Sequence, residues 1–328
     1  MNADDARAWY RLGNQHEDEG RDAEALACFE RAVTADPGYA KAWNNLGAAL
    51  QRQGHASRAE EAYRTALRRD PALLQPSLNL GRLHESRGES GLAAECYRGA
   101  LAHHPGEPIL LHLLAAASGG NTERAPREYV ESLFDEQAMR FDARLVGELE
   151  YRVPEQLAAL VRPALLRVPA RILDLGCGTG LVGAALGGAG VELTGVDLSA
   201  GMLREAAKRG MYRRLQQQDV QEALAQRDEG TLDAIVAADV FIYIGALDRI
   251  FVAATRALAH GGVFAFSVET LASGSYQLQP SGRYAHALDH LGGLASVNGL
   301  EPVRIEATRI RRQGKGYAGG SVLLFRKA

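Results

Sequence analysis

The residues best suited to chemistry lie between Arg171 and Ser199, in the run RILDLGCGTGLVGAALGGAGVELTGVDLS. An apolar strand over residues 172–175 carries Asp174 near its end and runs into Gly176, Gly178 and Gly180. Glycines after a strand permit a tight turn and let the backbone approach a ligand with no Cβ in the way. The helix expected next points its free N–H groups at that ligand. A second apolar strand, residues 191–196, ends in Asp197, and an acid there can accept both hydroxyls of a ribose. The segment predicts a nucleoside-cofactor site on a parallel α/β sheet.

Two cofactors compete for such a site. Gly178, Gly180 and Gly183 satisfy the G-x-G-x-x-G spacing of an NAD fingerprint, and Asp197 lies 19 residues beyond Gly178. Asp174 argues against a dinucleotide, because a carboxylate beside a pyrophosphate is repelled and one beside the ammonium of a methionine moiety is attracted. D-x-G-x-G-x-G followed by h-h-G-h-D-h-S resembles motifs I and II of class I S-adenosyl-L-methionine (SAM) methyltransferases. That resemblance implies cofactor contacts from Asp174, Gly176, Cys177, Gly178 and Gly180, then from Asp197, Leu198 and Met202. It implies the adenine amino group for Asp219, with Val220 beside it, at the end of a short third strand over residues 216–220. Residues 232–240 are apolar except for Asp233 and, near their end, Asp239, which suits a buried central strand that brings Asp239 and then Tyr243 beside the transferable methyl. A helix over residues 247–258, a turn at His260-Gly261-Gly262 and a fifth strand over residues 263–268 complete the order. A solvated strand end accounts for any one of these acids, Asp219 above all; their order supports the set.

The elements before this region repeat with a period of 34 residues. Trp9 pairs with Trp43, Leu12 with Leu46 and Leu80, and Gly13 with Gly47 and Gly81. Ala25, Ala59 and Ala93 follow, then Phe29, Tyr63 and Tyr97, then Ala32, Ala66 and Ala100, and finally Pro37, Pro71 and Pro105. Small residues let two antiparallel helices pack closely, the aromatics fill space between repeats, and each proline ends a second helix. The pattern resembles tetratricopeptide (TPR) repeats, with Ser77 in place of a third tryptophan. Residues 109–117 suit a helix capping the solenoid. Cys28 and Cys96 share one repeat position and read as small buried hydrophobes.

Ser118-Gly119-Gly120-Asn121-Thr122 marks the boundary. The expected organisation is a TPR domain over 1–121, a linker with lid helices over 122–168, and a methyltransferase domain over 169–328. Its fold class is α plus α/β: a helical solenoid, then a Rossmann-like domain with a mostly parallel seven-stranded sheet. Residues 128–151 have helical spacing at Tyr129, Leu133, Phe134, Phe141, Leu145 and Leu149, as an amphipathic helix packed on the sheet domain would. Phe134, Asp135, Ala138, Phe141 and Asp142 also match the F-D-x-x-A-x-x-F-D segment of many small-molecule methyltransferases, which implies a lid over SAM. After the fifth strand, residues 276–286 carry Arg283, Tyr284 and His286. Arg283 could hold an anionic group of the acceptor, and His286 or Tyr243 could serve as base. Residues 306–325 suit a closing strand pair, with Arg309, Arg311 and Arg312 on a solvated face.

The formal charge of −3 over 328 residues gives no electrostatic footprint for nucleic acid or an anionic membrane. A base-methylating N/D-P-P-Y/F motif is replaced by Ala237-Ala238-Asp239-Val240, and Cys177 belongs to the glycine loop. The three cysteines form no metal-ligand pair, the first residues are acidic with no apolar stretch behind them, and no apolar run spans a bilayer. A cytoplasmic protein without metal is expected. The chain as a whole resembles bacterial TPR-fused class I methyltransferases. That implies methyl transfer to a small-molecule or peptide- or carrier-bound acceptor, with S-adenosyl-L-homocysteine (SAH) as product. It also implies a peptide or protein partner in the TPR groove, where Lys41, Asn44, Asn45, Asn79 and Arg82 could grip a backbone or a carboxylate. The rival is a TPR adaptor whose second domain senses SAM without turnover.

Overall fold

A computed structural model describes residues 3–135, 141–142, 147, 150–188, 190–313 and 316–328. The chain divides into two compact units, Met1–Gly120 and Asn121–Ala328.

The first unit is built from helix pairs: α1 (Ala3–Asp18) with α2 (Asp22–Ala35), α3 (Ala40–Arg52) with α4 (Ala56–Arg69), and α5 (Leu74–Ser86) with α6 (Ser90–Leu101). A further helix, α7 (Pro108–Ala117), buries Leu110 and Leu113. The turns within the pairs carry Gly20, Gly54 and Gly88 at φ of 73°, 81° and 74°, one period apart, a conformation that glycine adopts without steric cost. The repeated spacing of glycine and aromatic has a direct cause. A Cβ at Gly13, Gly47 or Gly81 would lie 2.5, 2.6 or 2.3 Å from the ring of Phe29, Tyr63 or Tyr97. Each ring therefore sits on the glycine of its own repeat, where the sequence suggested a filler between repeats. The Tyr63 and Tyr97 hydroxyls confirm the in-repeat placement by donating to Gln51 Oε1 and Glu85 Oε1 of the partner helix, each at 2.9 Å.

The second unit is a twisted sheet with helices on both faces. Its strands are β1 (Ala170–Leu175), β2 (Val191–Asp197), β3 (Tyr212–Gln217), β4 (Leu232–Ala237), β5 (Leu258–Leu271), β6 (Tyr276–Leu278), β7 (Tyr284–Ala287), β8 (Leu300–Gln313) and β9 (Gly316–Lys327). The order is β3-β2-β1-β4-β5-β7-β6, with β9 antiparallel to β5 and β8 antiparallel to β9. Pairings from β3 through β5 are parallel. The chain leaves β1 in one direction to β2 and β3 and returns to β4 on its other side, so the order reverses there and opens a crevice beyond the strands' carboxyl ends.

Helices α8 (Arg127–Asp135), α9 (Val153–Val161), α10 (Leu181–Leu186), α11 (Ala200–Lys208), α12 (Val220–Ala225), α13 (Asp248–Ala257) and α14 (Leu288–Val297) accompany the sheet. One core joins Phe241, Phe251, Phe264, Phe266 and Phe325 with α12, α13 and α14; the other joins α9 and α10 with β1, β4 and β9. All six residues of β4 are buried, including Asp233, which accepts from the Arg171 N–H at 2.8 Å.

Three elements differ from expectation. Among the described residues the sheet has nine strands, because residues read as a loop form the β6–β7 hairpin. The third strand ends at Gln217, and Asp219 instead caps α12, accepting from the N–H groups of Gln221 and Glu222 at 2.8 and 3.4 Å. Arg311 is not on a solvated face: it is 5% exposed. A register shift between Arg309 and Arg311 breaks the alternation, so Ile310 and Arg311 are both buried.

Candidate active site

At the crevice lies a cavity of about 400 Å³. Gly176, Cys177, Gly178, Asp197, Leu198, Asp219, Val220 and Asp239 line it, as do Tyr243 and Arg283. Asp174, Gly180 and Met202 are not among the residues that line it. Gly180 caps α10 at φ 87°, and Met202 is wholly buried, its N–H donating to Ser199 Oγ at 3.0 Å.

The glycine loop is shaped from both sides. Gly176 has φ 61°, and a Cβ there would lie 2.6 Å from Val240 Cγ2. Gly178 has φ 53° and nothing within 4 Å of the position a Cβ would take, so its backbone faces open space. The Gly178 N–H donates to Asp197 Oδ2 at 2.8 Å, and the Ser199 N–H to Asp197 Oδ1 at 2.9 Å. Burial raises the Asp197 pKa despite these donors, and burial also pushes the Cys177 thiol well up, leaving it inert.

Asp174 is wholly buried. Its Oδ2 accepts from the Tyr212 hydroxyl at 2.6 Å, while Oδ1 has no hydrogen-bond partner among the described residues. Burial pushes its pKa up to about 7, with Tyr212 opposing and Asp197 adding to the rise. Tyr212 in turn accepts from the Gly183 N–H at 3.1 Å. No motif marks Tyr212, and none marks Arg124, which forms an ion pair with Asp219. Burial acts against the Asp219 carboxylate, but Arg124 and the helix N–H groups hold its pKa below the ordinary value.

At the other end Asp239 adopts φ 54°. Its Oδ1 accepts from Ser267 Oγ at 2.8 Å, and its Oδ2 accepts from Arg311 Nη1 at 3.2 Å. Arg311 also donates to Glu269, so one buried guanidinium joins two carboxylates. Burial raises the Asp239 pKa, with Arg311 and Ser267 opposing. Arg283 lies beside Tyr243, whose phenol ring meets Phe134 edge-on with centroids 5.5 Å apart.

The segment with α8 is pinned over the glycine loop and the start of α11. Asp135 accepts from Ser199 Oγ at 2.5 Å and from the Gly201 N–H at 3.0 Å. Asp142 accepts from Thr179 Oγ1 and Arg209. Phe134 and Phe141 stand edge to face at 5.9 Å and line the cavity. Ala138, Leu145 and Leu149 lie outside the described residues.

His286 is not brought to the cavity, which corrects its expected place at the acceptor wall. β7 is buried along its length, and His286 Nε2 lies 3.0 and 3.1 Å from the carbonyl oxygens of Ile244 and Gly245. Two acceptors require Nε2 to carry the proton. Burial lowers the ring's pKa from 6.5 to about 4, against the pull of both carbonyls. The folded value is the lower one, so the unfolded chain binds its proton first as pH falls. Stability is therefore lost between about pH 6.5 and pH 4. The urea midpoint of the native protein, compared with that of His286→Gln, should drop on going from pH 7 to pH 4.5. Parallel curves would show that the ring is not held neutral.

In the repeat unit, the candidate groove residues Asn44, Asn45 and Asn79 form a row of linked amides across first helices. Asn79 donates to Asn44 at 3.1 Å, Asn44 to Asn45 at 3.1 Å, and Asn45 to Asn14 at 2.9 Å. Lys41 is exposed and Arg82 half-buried on the same helices.

Among the described residues no group of acids, histidines and cysteines could hold a metal, and no helix is long and apolar enough to cross a membrane. Residues 173–264 match the model of a methyltransferase domain, and residues 6–49 and 40–73 match tetratricopeptide repeat models. The chain is 36% identical over 147 residues to a malonyl-[acyl-carrier protein] O-methyltransferase of Geobacter sulfurreducens, across 43% of this chain and 53% of that protein. It is 42% identical over 94 residues to methyltransferase-like protein 27 of Homo sapiens, across 28% of this chain and 38% of that one. It is 25% identical over 166 residues to a ubiquinone biosynthesis O-methyltransferase of Burkholderia cenocepacia, across 45% and 72%. The chain thus spans about half the length of the first of these relatives and less of the second.

Proposed function

We propose that this chain, which joins tetratricopeptide repeats to a class I SAM-dependent methyltransferase domain, is an O-methyltransferase for the carboxylate of a carrier-bound acyl group, with the repeats recruiting a protein or peptide. The observation that carries this reading is Arg283, set beside Tyr243 in a cavity end walled by Phe134 and Phe141. No histidine or lysine is among the described residues lining that cavity. A carboxylate acceptor needs an orienting cation and no base, whereas a hydroxyl or ammonium needs its proton removed. The likeness to a malonyl-carrier O-methyltransferase supports the same acceptor class.

The residues present fit the cofactor. Asp197 suits ribose hydroxyls and the open space over Gly178 suits a ligand close to backbone, while Asp174, outside the lining, holds Tyr212, whose hydroxyl accepts from the Gly183 N–H. When bound, SAM supplies an electrophilic methyl group for in-line displacement. The chain's own work is to hold the acceptor oxygen on that line and to exclude water. Arg283 grips the carboxylate as a fork, with Tyr243 beside it. Asp135 and Asp142 hold Phe134 and Phe141 down as a lid. In the repeat unit, the row of amides offers a preformed surface for a peptide backbone.

The test is to incubate the protein with methyl-labelled SAM and a malonyl-type acyl carrier. Label should enter the carrier fraction and leave it as methanol under mild base, as a methyl ester does. Label that is absent, or that survives base as an ether or amine, defeats the proposal.

A further inference from the structure

We propose that Arg124 is a positioning residue for the cofactor's nucleobase, acting through Asp219, so that the first residues of the second unit belong to the cofactor site. The inference rests on the reading of Asp219 as acceptor for the adenine amino group.

The segment that carries Arg124 is fixed on both sides of it. The Asn121 side chain accepts from the Leu278 N–H at 3.0 Å and donates to the Tyr276 carbonyl at 3.2 Å. The Glu123 carbonyl accepts from the N–H groups of Gly245 and Ala246 at 2.8 and 2.9 Å. The Ala125 N–H donates to the Tyr243 carbonyl at 2.9 Å, and Arg124 itself bridges Ile244. A backbone laced this way delivers the guanidinium to one place. Its Nη2 donates to Asp219 Oδ2, and its Nη1 donates to Gln221 Oε1 at 3.1 Å.

A carboxylate offers about four lone-pair positions. At Asp219 the N–H groups of Gln221 and Glu222 take Oδ1, and Arg124 takes one side of Oδ2. One acceptor position on Oδ2 is left, on a side chain only 5% exposed. Arg124 and Asp219 both line the cavity. The ion pair keeps the carboxylate unprotonated and stops it turning about its Cβ–Cγ bond. An amino group, which donates, completes that arrangement; a carbonyl oxygen at the same place, which accepts, meets a lone pair. A site built around one fixed hydrogen bond rejects an analogue that cannot make it. Without Arg124, Oδ2 loses its charged partner and can take a proton, and the distinction between donor and acceptor is lost.

The experiment compares the full chain's affinity for SAH with that for S-inosylhomocysteine, whose 6-amino group is replaced by oxygen. Calorimetry should show the native protein preferring SAH by about 30-fold or more. In Arg124→Ala the preference should collapse to less than about fivefold, with Arg124→Lys in between and Asp219→Asn as low as the alanine variant. Arg124→Gln, which keeps the stem and one donor, serves if the alanine variant does not fold, and it should also lose most of the preference. If either folded variant binds both nucleosides more weakly but keeps their ratio, Arg124 is only a structural clip and the inference is wrong. A native protein that binds the two nucleosides equally would overturn the role of Asp219, and one that binds neither would overturn the cofactor reading itself.

Discussion

Replacing Asp197 by alanine should weaken SAH binding by roughly 2–3 kcal/mol, about 30- to 150-fold, in a calorimetric titration. Two losses combine. The ribose hydroxyls lose a charged acceptor, and the N–H groups of Gly178 and Ser199 lose the carboxylate that holds the glycine loop against the start of α11. Asp197→Asn separates them, because its amide keeps one oxygen acceptor but presents an N–H donor where the second oxygen was. The asparagine variant should fall between the native protein and the alanine variant. An alanine variant with native affinity would remove Asp197 from the cofactor site.

Replacing Arg283 by alanine should lower kcat/KM for a carboxylate acceptor by about 10²- to 10³-fold, because two charge-assisted hydrogen bonds at roughly 1.5–3 kcal/mol each are lost in part or whole. Affinity for SAH should stay within about twofold, since the contacts of Arg283 are with Tyr243 and the Asp239–Glu269 acids and not with Asp197 or Asp219. Lysine in its place should recover only part of the rate, as it supplies charge without the planar fork. With a carboxylate acceptor and saturating cofactor, kcat should show no rise with acceptor deprotonation between pH 6 and pH 8, and Tyr243→Phe should cost little. A steep pH profile combined with a large loss in Tyr243→Phe would make Tyr243 a base and the acceptor a hydroxyl.

What the sequence made legible was local in the chain. Asp197 follows the glycine loop closely, and the strand-turn-helix around Gly178 is written in consecutive residues. The helix pairs were legible because each is spelled out again one period later. What escaped depends on partners far along the chain: Arg124 and Asp219 lie 95 residues apart, and Asp239 and Arg311 lie 72 apart. Nothing in either member of such a pair announces the other. Arg311 misled for a further reason, since alternation predicts facing only while the ladder keeps register. His286 misled by its chemistry. An imidazole suggests proton transfer, but β7 buries Tyr284, Ala285, His286 and Ala287 alike, and the ring spends its donor on backbone carbonyls.

The glycine-on-ring contacts of the first unit bear on how such a chain can change over generations. Because Phe29, Tyr63 and Tyr97 each seat on a glycine of their own repeat, the tightest fit in the array is contained within a single 34-residue block. Duplication or loss of a whole block keeps every ring with its glycine, while an insertion between the glycine and the aromatic of one repeat moves that ring off its seat. Lineages can therefore lengthen or shorten the array in units of one repeat, altering the reach of its amide row while the cavity around Asp197 and Arg283 stays as it is.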